Sequence, residues 1–461
     1  MAGYSLGGAD LLRRAMGKKI QEAMDAERPK FIAGAKENGV DDAKALEVWN
    51  LLDKFANYGF NKSHAAAYAV VSYQTAWLKA NHPVEFMAGV MNCDIHLTDK
   101  LAVYFEEVRK KLELPWAPPC VNRSEATFAV RDGVLHYGLG ALKNVGVEAM
   151  RLIVAARGDK PFVTLFDFAR RVDLKSIGKR PLEMLARAGG FDELDRNRRR
   201  VFDSIEALMR YSAAIHDQKG SAQVSLFGEA GDDLPEPRLS PLEDWLPAER
   251  LTEEFSAVGF YLSGHPLDDY MAALRRKDVK TLDEVTALAG RTGASVAKMA
   301  GVVAGRQERK SARGTRYAFV QLSDTTGGYE VTVFSDTLDA ARDHLETGSQ
   351  VVLTVEATME ADQLKLLARG IQPADGVVAD AGASGLRIFV ESEAAIPSVA
   401  SVLGNAEGAV QRGGRGPIHF CLMDHGLPGE VEIAAGREFP VTPQIKGAIK
   451  SLSGVVTVED M

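Results

Sequence analysis

Cysteine is scarce in this chain: three in 461 residues, Cys93, Cys120 and Cys421, far apart and without a CxxC pair. That spacing argues against a zinc ribbon or a disulfide framework and predicts buried thiols in a reducing cytoplasm. No run approaches the ~18 apolar residues needed to cross a bilayer, and the first residues show no charged-then-apolar leader. A soluble, cytoplasmic protein with no membrane partner is expected. Positive charge is short as well. Lys and Arg number 55 against 63 Asp and Glu, a formal charge of -8. This excludes a generally basic nucleic-acid binder and leaves only local patches for such contacts. No internal repeat is visible. What is present is 46% hydrophobic content over a length sufficient for three or four domains.

The stretch Tyr58-Gly59-Phe60-Asn61-Lys62-Ser63-His64-Ala65-Ala66-Ala67-Tyr68 carries the most information. Asn61 and Ser63 suit the end of a loop, where their side chains accept from the first amides of a helix. The spacing predicts that helix from about His64 to Asn81, stopping before Pro83. On it His64, Tyr68, Ser72, Thr75 and Lys79 line one face, and Val70, Tyr73 and Trp77 another. Such a helix suits docking on a core with a polar stripe towards a phosphate-rich ligand. An ordinary surface helix has the same pattern.

The chain reads as a multidomain α+β protein. Residues 1–115 are helical by periodicity, and Pro115, Pro118 and Pro119 end that region. A short strand signal (Val134, His136, Gly138) and several helices follow over 116–214. Residues 215–250 read as an acidic, Pro- and Gly-containing linker, and 251–295 as a helical connector. Over 296–375 five alternating runs, with a helical insert at Leu338 to Leu345, predict an OB-fold β-barrel. Residues 383–461 read strand, helix, strand, strand, helix, strand, a split βαβ pattern.

Three local patterns point to chemistry. Gly138 to Gly146 has the glycine spacing of a helix-hairpin-helix turn. Gly140 and Gly146 would let backbone amides approach a DNA phosphate, and Lys143 would add a point charge. The basic run Lys179, Arg180, Arg187, Arg196, Arg198, Arg199, Arg200 that follows has the composition of a solvated face. In the predicted barrel, Arg306, Arg309, Lys310, Arg313 and Arg316 crowd the first hairpin, with Tyr317, Phe319 and Phe334 on the strands behind. A basic loop with strand aromatics holds single strands by charge and stacking, although the aromatics equally suit a core. Finally, Leu226 and Phe227 lie in the linker, which has no core of its own to bury them. An extended segment could dock them into a partner's apolar pocket, or they tack the linker onto a neighbouring domain.

Residues 3–19, GYSLGGADLLRRAMGKK, resemble the fingers segment of the alpha subunit of bacterial DNA polymerase III, a C-family replicative polymerase. Lys54 to Pro83 resembles the same segment, in the right order, and the resemblance continues through the chain as the C-terminal part of such a subunit. It implies an end of the fingers whose Arg13, Arg14, Lys18, Lys19, Lys62, His64 and Tyr68 face the templating pair and the incoming deoxynucleoside triphosphate. It implies that Gly140, Lys143 and Gly146 meet primer-template DNA, and that Arg306, Arg309, Lys310, Arg313, Arg316 and Phe319 hold single-stranded template. Gln223, Val224, Ser225, Leu226 and Phe227 resemble the pentapeptide that binds the beta sliding clamp, and 383–461 the region that binds the tau subunit of the clamp loader. Ser263-Gly264-His265-Pro266-Leu267 continues the resemblance without an evident chemistry.

Nucleotidyl transfer by two metals requires carboxylates fixed on a rigid palm. In this family they lie in an Asp-x-Asp segment before the fingers, and no such segment is found here in a strand-rich context. The chain is therefore expected to have no catalytic residues and no metal of its own, Mg2+ belonging to the intact polymerase, and to be inactive alone. The alternative is a non-enzymatic DNA- and clamp-binding adaptor. An error-prone paralogue would lack the pentapeptide, and a repair protein would leave residues 1–110 unexplained.

Overall fold

The computed structural model describes residues 1–18, 21–58, 62–220, 234–310, 314–360, 363–379, 385–409, 415–423 and 431–461. They form two compact units, Met1–Phe86 and Met87–Met461. The division falls inside the helix Pro83–Cys93, well before the proline cluster at 115–119 where the sequence places a boundary. The reason is packing: Phe105 meets Trp116 edge-on at 4.7 Å and Tyr137 at 6.4 Å, which joins the helix Thr98–Glu106 to the region beyond the prolines.

In the first unit the helices Leu6–Lys18, Gln21–Glu37 and Asp42–Tyr58 enclose a core of Leu12, Met24, Phe31 and Trp49. Apolar positions three and four apart on each helix supply that core. A fourth helix, Lys62–Asn81, starts two residues before the predicted His64. Pro83, at the first position of the next helix, accounts for its stop.

The second unit begins at Met87 within the helix Pro83–Cys93 and continues with the helix Thr98–Glu106, which runs into a π-helical turn, Glu107–Lys111. A small sheet follows, of β1 (Trp116–Ala117), β2 (Ala129–Arg131) and β3 (Val134–His136). Asp132 and Gly133, both at positive φ, turn the β2–β3 hairpin as a two-residue Asp-Gly loop should. The helices Val147–Arg157, Leu165–Arg171, Leu174–Ile177, Lys179–Arg187 and Arg198–Gly220 complete this region. Thr164 and Asp173 cap two of them, accepting from the amides of Asp167 and Lys175.

The expected linker is only partly one. The helix from Arg198 continues to Gly220, and residues 234–246 lie along it as an extended strap. Asn197 Nδ2 donates to the Leu242 carbonyl, Ser240 N to Ser204 Oγ, and the Trp245 ring packs tilted against Phe202 at 5.7 Å. Side chains of the helix and of Asn197 just before it thus satisfy a backbone that has no ladder of its own.

After the helices Pro247–Val258 and Met271–Arg276 and the strand β4 (Val279–Lys280), a Thr281–Glu284 capping box starts the helix Leu282–Thr292. The barrel comprises β5 (Ala294–Lys310), β6 (Arg316–Ser323), β7 (Gly328–Phe334), β8 (Gln350–Glu360) and β9 (Gln363–Pro373). The helix Ser335–Ala341 sits between β7 and β8. The order β5-β6-β7-β9-β8, closed by pairing of β8 back onto β5 with β7 and β9 parallel, is OB-fold topology. Met299, Val320, Val331, Val333, Leu353 and Val355 fill it.

The last domain pairs β10 (Leu386–Val390), β11 (Arg415–Leu422), β12 (Val431–Pro440) and β13 (Val455–Asp460) with the helices Ile396–Ala409 and Pro443–Lys450. The elements come in the order read from the sequence. Their arrangement corrects one detail of it: the strand order is β12-β11-β10-β13, with β10 and β11 adjacent and parallel, so no strand splits the βαβ unit. The hairpin strand β12 takes the free edge beyond β11 instead.

Candidate nucleic-acid interface

Strand alternation decides which barrel residues face outward. In β6, Ala318, Val320 and Leu322 point into the core, so Tyr317 and Phe319 stand on the outer face. Cross-strand pairing sets Tyr317 opposite Arg309 and Phe334, and Phe319 opposite Gln307 and Thr332. The result is an aromatic patch: Tyr317 and Phe319 are edge-on at 5.5 Å, and Tyr317 and Phe334 are 6.4 Å apart. Phe334 is 54% exposed, which excludes a core role for it. The Arg309 guanidinium lies over the Phe319 ring at 5.3 Å. Lys310 and Arg316 face each other across the hairpin and are exposed. Arg306 is drawn aside by Glu308 at 3.4 Å and by the Arg342 carbonyl, to which it donates at 3.1 Å. Arg313 lies outside the described residues. The patch thus joins Tyr317, Phe319 and Phe334, the three aromatics that the sequence puts on these strands and of which Phe319 alone was assigned to the template; alternation along β6 sets Tyr317 beside Phe319, and the β6–β7 register brings in Phe334.

The glycine hairpin separates into three roles. Gly140 is buried, and a Cβ there would sit 2.7 Å from Val147 Cγ2 and 2.8 Å from the Ala126 carbonyl oxygen, so glycine is required for packing. Gly146 is exposed, with nothing within 4 Å of a Cβ, and precedes the helix Val147–Arg157, whose N-terminus no side chain caps. Asn144 beside it is exposed in the left-handed region, φ 59°. Lys143 corrects the sequence reading. Its amide donates to the Ala257 carbonyl at 2.8 Å, and its ammonium lies 5.3 Å over the Phe255 ring, where burial lowers its pKa. Its charge goes into fastening the hairpin to the helix Pro247–Val258. Gly259, at φ 97°, makes the room: a Cβ there would meet Lys143 and Thr98.

Nor is the basic run simply a solvated face. Arg198 is buried between Asp192 at 2.8 Å and Glu254 at 3.3 Å. Glu254, 1% exposed, also accepts from the amides of Leu262 and Ser263 at 2.9 and 2.8 Å. Arg200 pairs with Asp195, Arg187 with Glu253, and Lys179 with Glu206. The run ties the hairpin region to the connector. His265 then gains a role: its Nδ1 accepts from Leu267 N–H, which places the proton on Nε2, donated to Ser323 Oγ of the barrel at 3.1 Å. Burial pushes its pKa down to about 3, so the imidazole is neutral.

In the first unit Arg13 and Arg14 both pair with Asp10 on an exposed helix face, at 2.7 and 2.8 Å. Lys18 ends that helix, and Lys62 and His64 begin the fourth; their side chains, like Lys19, lie outside the described residues. Tyr68 is exposed. The apolar stripe of the fourth helix is not docked within this unit: Val70, Tyr73 and Trp77 are 57%, 70% and 47% exposed. Gln223, Val224, Ser225, Leu226 and Phe227 also fall outside the described residues. Cys120 and Cys421 are buried, whereas Cys93 is exposed. Among the described residues no group of three His, Cys, Asp or Glu is placed to hold a metal ion, and no helix is long and apolar enough to cross a membrane.

These features define a multidomain α+β chain with a hairpin module and an OB barrel. Comparison with known proteins narrows the class. The model of the bacterial DNA polymerase III alpha subunit finger domain matches residues 1–39, and that of the helix-hairpin-helix motif residues 113–201. The DNA polymerase III subunit alpha of Caulobacter vibrioides is 43% identical over 463 aligned positions, covering 100% of this chain and 40% of that protein. Those of Pseudomonas fluorescens and Neisseria meningitidis serogroup B are 39% and 36% identical, covering 78% and 96% of this chain and 32% and 36% of theirs. A mitochondrial single-stranded DNA binding protein from S. cerevisiae matches 17% of this chain at a TM-score of 0.15, too slight a likeness to carry an argument. The chain belongs to the DNA polymerase III alpha-subunit family and spans about 40% of the length of its Caulobacter relative.

Proposed function

We propose that this chain supplies the DNA-holding and partner-binding part of a replicative polymerase, and that the outer face of the barrel binds single-stranded template. The observation that carries this is the Tyr317–Phe319–Phe334 patch with Arg309 over it, flanked by Lys310 and Arg316, in a chain that aligns throughout with alpha subunits. Bases stack on exposed rings while the cations follow the phosphates. At the hairpin, Gly140 shapes the turn and the amides after Gly146 meet a duplex phosphate, with Lys143 holding the turn in place. In the first unit, Arg13, Arg14, Lys18, Lys19, Lys62, His64 and Tyr68 face the templating pair and the incoming triphosphate, where cations offset the charge passing to pyrophosphate.

Gln223 to Phe227 bind the sliding clamp as an extended peptide, Leu226 and Phe227 entering an apolar pocket. The β10–β13 domain binds the tau subunit. Catalytic carboxylates and their Mg2+ belong to a part of the polymerase outside this chain. The test is fluorescence anisotropy with a labelled oligothymidylate. Phe319→Ala and Tyr317→Ala should each weaken binding by about 1–3 kcal/mol, the worth of one stacked base. Unchanged affinity in both would remove the barrel face from the reading.

A further inference from the structure

The helix Thr98–Glu106, the loop 259–265 and the β6–β7 turn enclose a cleft of about 370 Å³ to which the DNA reading gives no role. Small-molecule sites fall in the range of about 300–1,000 Å³. One wall is apolar and assembled from separate segments: Phe105 lies 5.4 Å from Phe260, and Phe255 lies 4.8 Å from Tyr261, centroid to centroid. The lining also holds four carboxylates, Asp99, Glu106, Asp324 and Glu330, of which Glu106 and Asp324 differ in standing. Asp324 is saturated, accepting from the amides of Leu282, Thr326 and Gly327 at 2.6, 2.7 and 2.8 Å. Glu106 is not. Its nearest cation, Lys110 Nζ, stands at 4.0 Å, beyond hydrogen-bond length, and no described residue donates to it. Gly327 lies directly beneath the carboxylate, which a Cβ at that position would strike. Burial, with Asp283 and Asp324 near, raises the Glu106 carboxyl above its ordinary value.

The cations of the lining do not change the sign of what is on offer. Arg109 is committed: it donates to the Leu262 carbonyl at 3.1 Å, and its guanidinium rests near the Phe105 and Trp116 rings. Lys110 is held below its usual pKa by burial. Glu106 thus offers the cleft a carboxylate held only by one long ion pair, beside aromatic rings. We propose that this cleft binds a small amphipathic cation, its flat aromatic body against Phe105, Phe255, Phe260 and Tyr261 and its amidinium or ammonium group donating to Glu106. A charge-assisted hydrogen bond would replace the long Lys110 pairing, and the rings would stabilise the cation further.

Benzamidine is the probe, with benzoate as its anionic counterpart, titrated into the full chain and followed by ligand-observed NMR. Saturable benzamidine binding is expected, weakened at least tenfold by Glu106→Gln and by Val103→Trp, which fills the cleft from its exposed edge without touching the carboxylate. Benzoate should bind wild type no better than the Glu106→Gln variant. Benzamidine affinity should also fall as pH drops, starting above the range in which an exposed glutamate titrates. Absence of saturable binding to wild type at millimolar benzamidine, or equal affinity of wild type and both variants, would overturn the proposal. Oligothymidylate binding, read in the same samples, is independent of either outcome.

Discussion

His265 carries a consequence of its burial that can be titrated. In the folded chain its pKa is pushed down to about 3 by desolvation, with Lys110 nearby, whereas an unfolded histidine titrates near 6.5. Between those values the unfolded state binds the extra proton, so stability from this group is present at neutral pH and lost as pH falls from about 6.5 towards 3, by roughly 1.4 kcal/mol per unit. Urea unfolding at several pH values should show a shallower acid slope for His265→Asn than for wild type. Two glycines make a second residue-scale contrast. Gly140→Ala should destabilise by about 1–3 kcal/mol through overpacking against Val147 and Ala126, while Gly146→Ala should cost only tenths. Thermal unfolding of the two variants distinguishes them. At this scale the sequence was partly legible. The glycine spacing was plain, and so was the basic, aromatic character of β5–β7. That Lys143 turns onto Phe255 was not, because its partner lies more than a hundred residues away in the chain.

Among elements, the connector is held by charge buried in an unusual place. Glu254 links the helix Pro247–Val258 to the loop at 262–263 and to Arg198 on the long helix. Removing one partner of a buried pair leaves the other charge uncompensated, so Glu254→Ala should lose about 3–5 kcal/mol, measured by chemical denaturation. The pentapeptide is an element of another kind. Leu226→Ala with Phe227→Ala should abolish capture of the chain on immobilised sliding clamp, and undiminished capture would mean that the motif is a coincidence of composition. Element type and order were legible throughout the barrel and the last domain, since alternation and helical spacing are local. Strand order was not: whether β10 and β11 are neighbours depends on where the hairpin strand β12 finds an edge, which no local pattern encodes. The strap at 234–246 was missed for a related reason, because Ser204, Asn197 and Phe202, which hold it, belong to a different element.

At the scale of the molecule, an acidic chain proposed to hold DNA must concentrate its cations. They are concentrated on the barrel hairpin, while much of the basic run after the hairpin module is spent on internal pairs. Primer extension by this chain alone in Mg2+ is expected to yield no product, since the metal-bearing carboxylates are assigned to another part of the polymerase. Product from the chain alone would overturn that assignment. The most direct test of the whole account is the salt dependence of single-strand binding. For wild type, log affinity should fall linearly with log salt. Arg309→Ala, Lys310→Ala and Arg313→Ala together should both weaken binding and flatten the slope, by about 0.7 for each phosphate that is no longer neutralised. An unchanged slope in the triple variant would contradict a template strand on the outer face of the barrel.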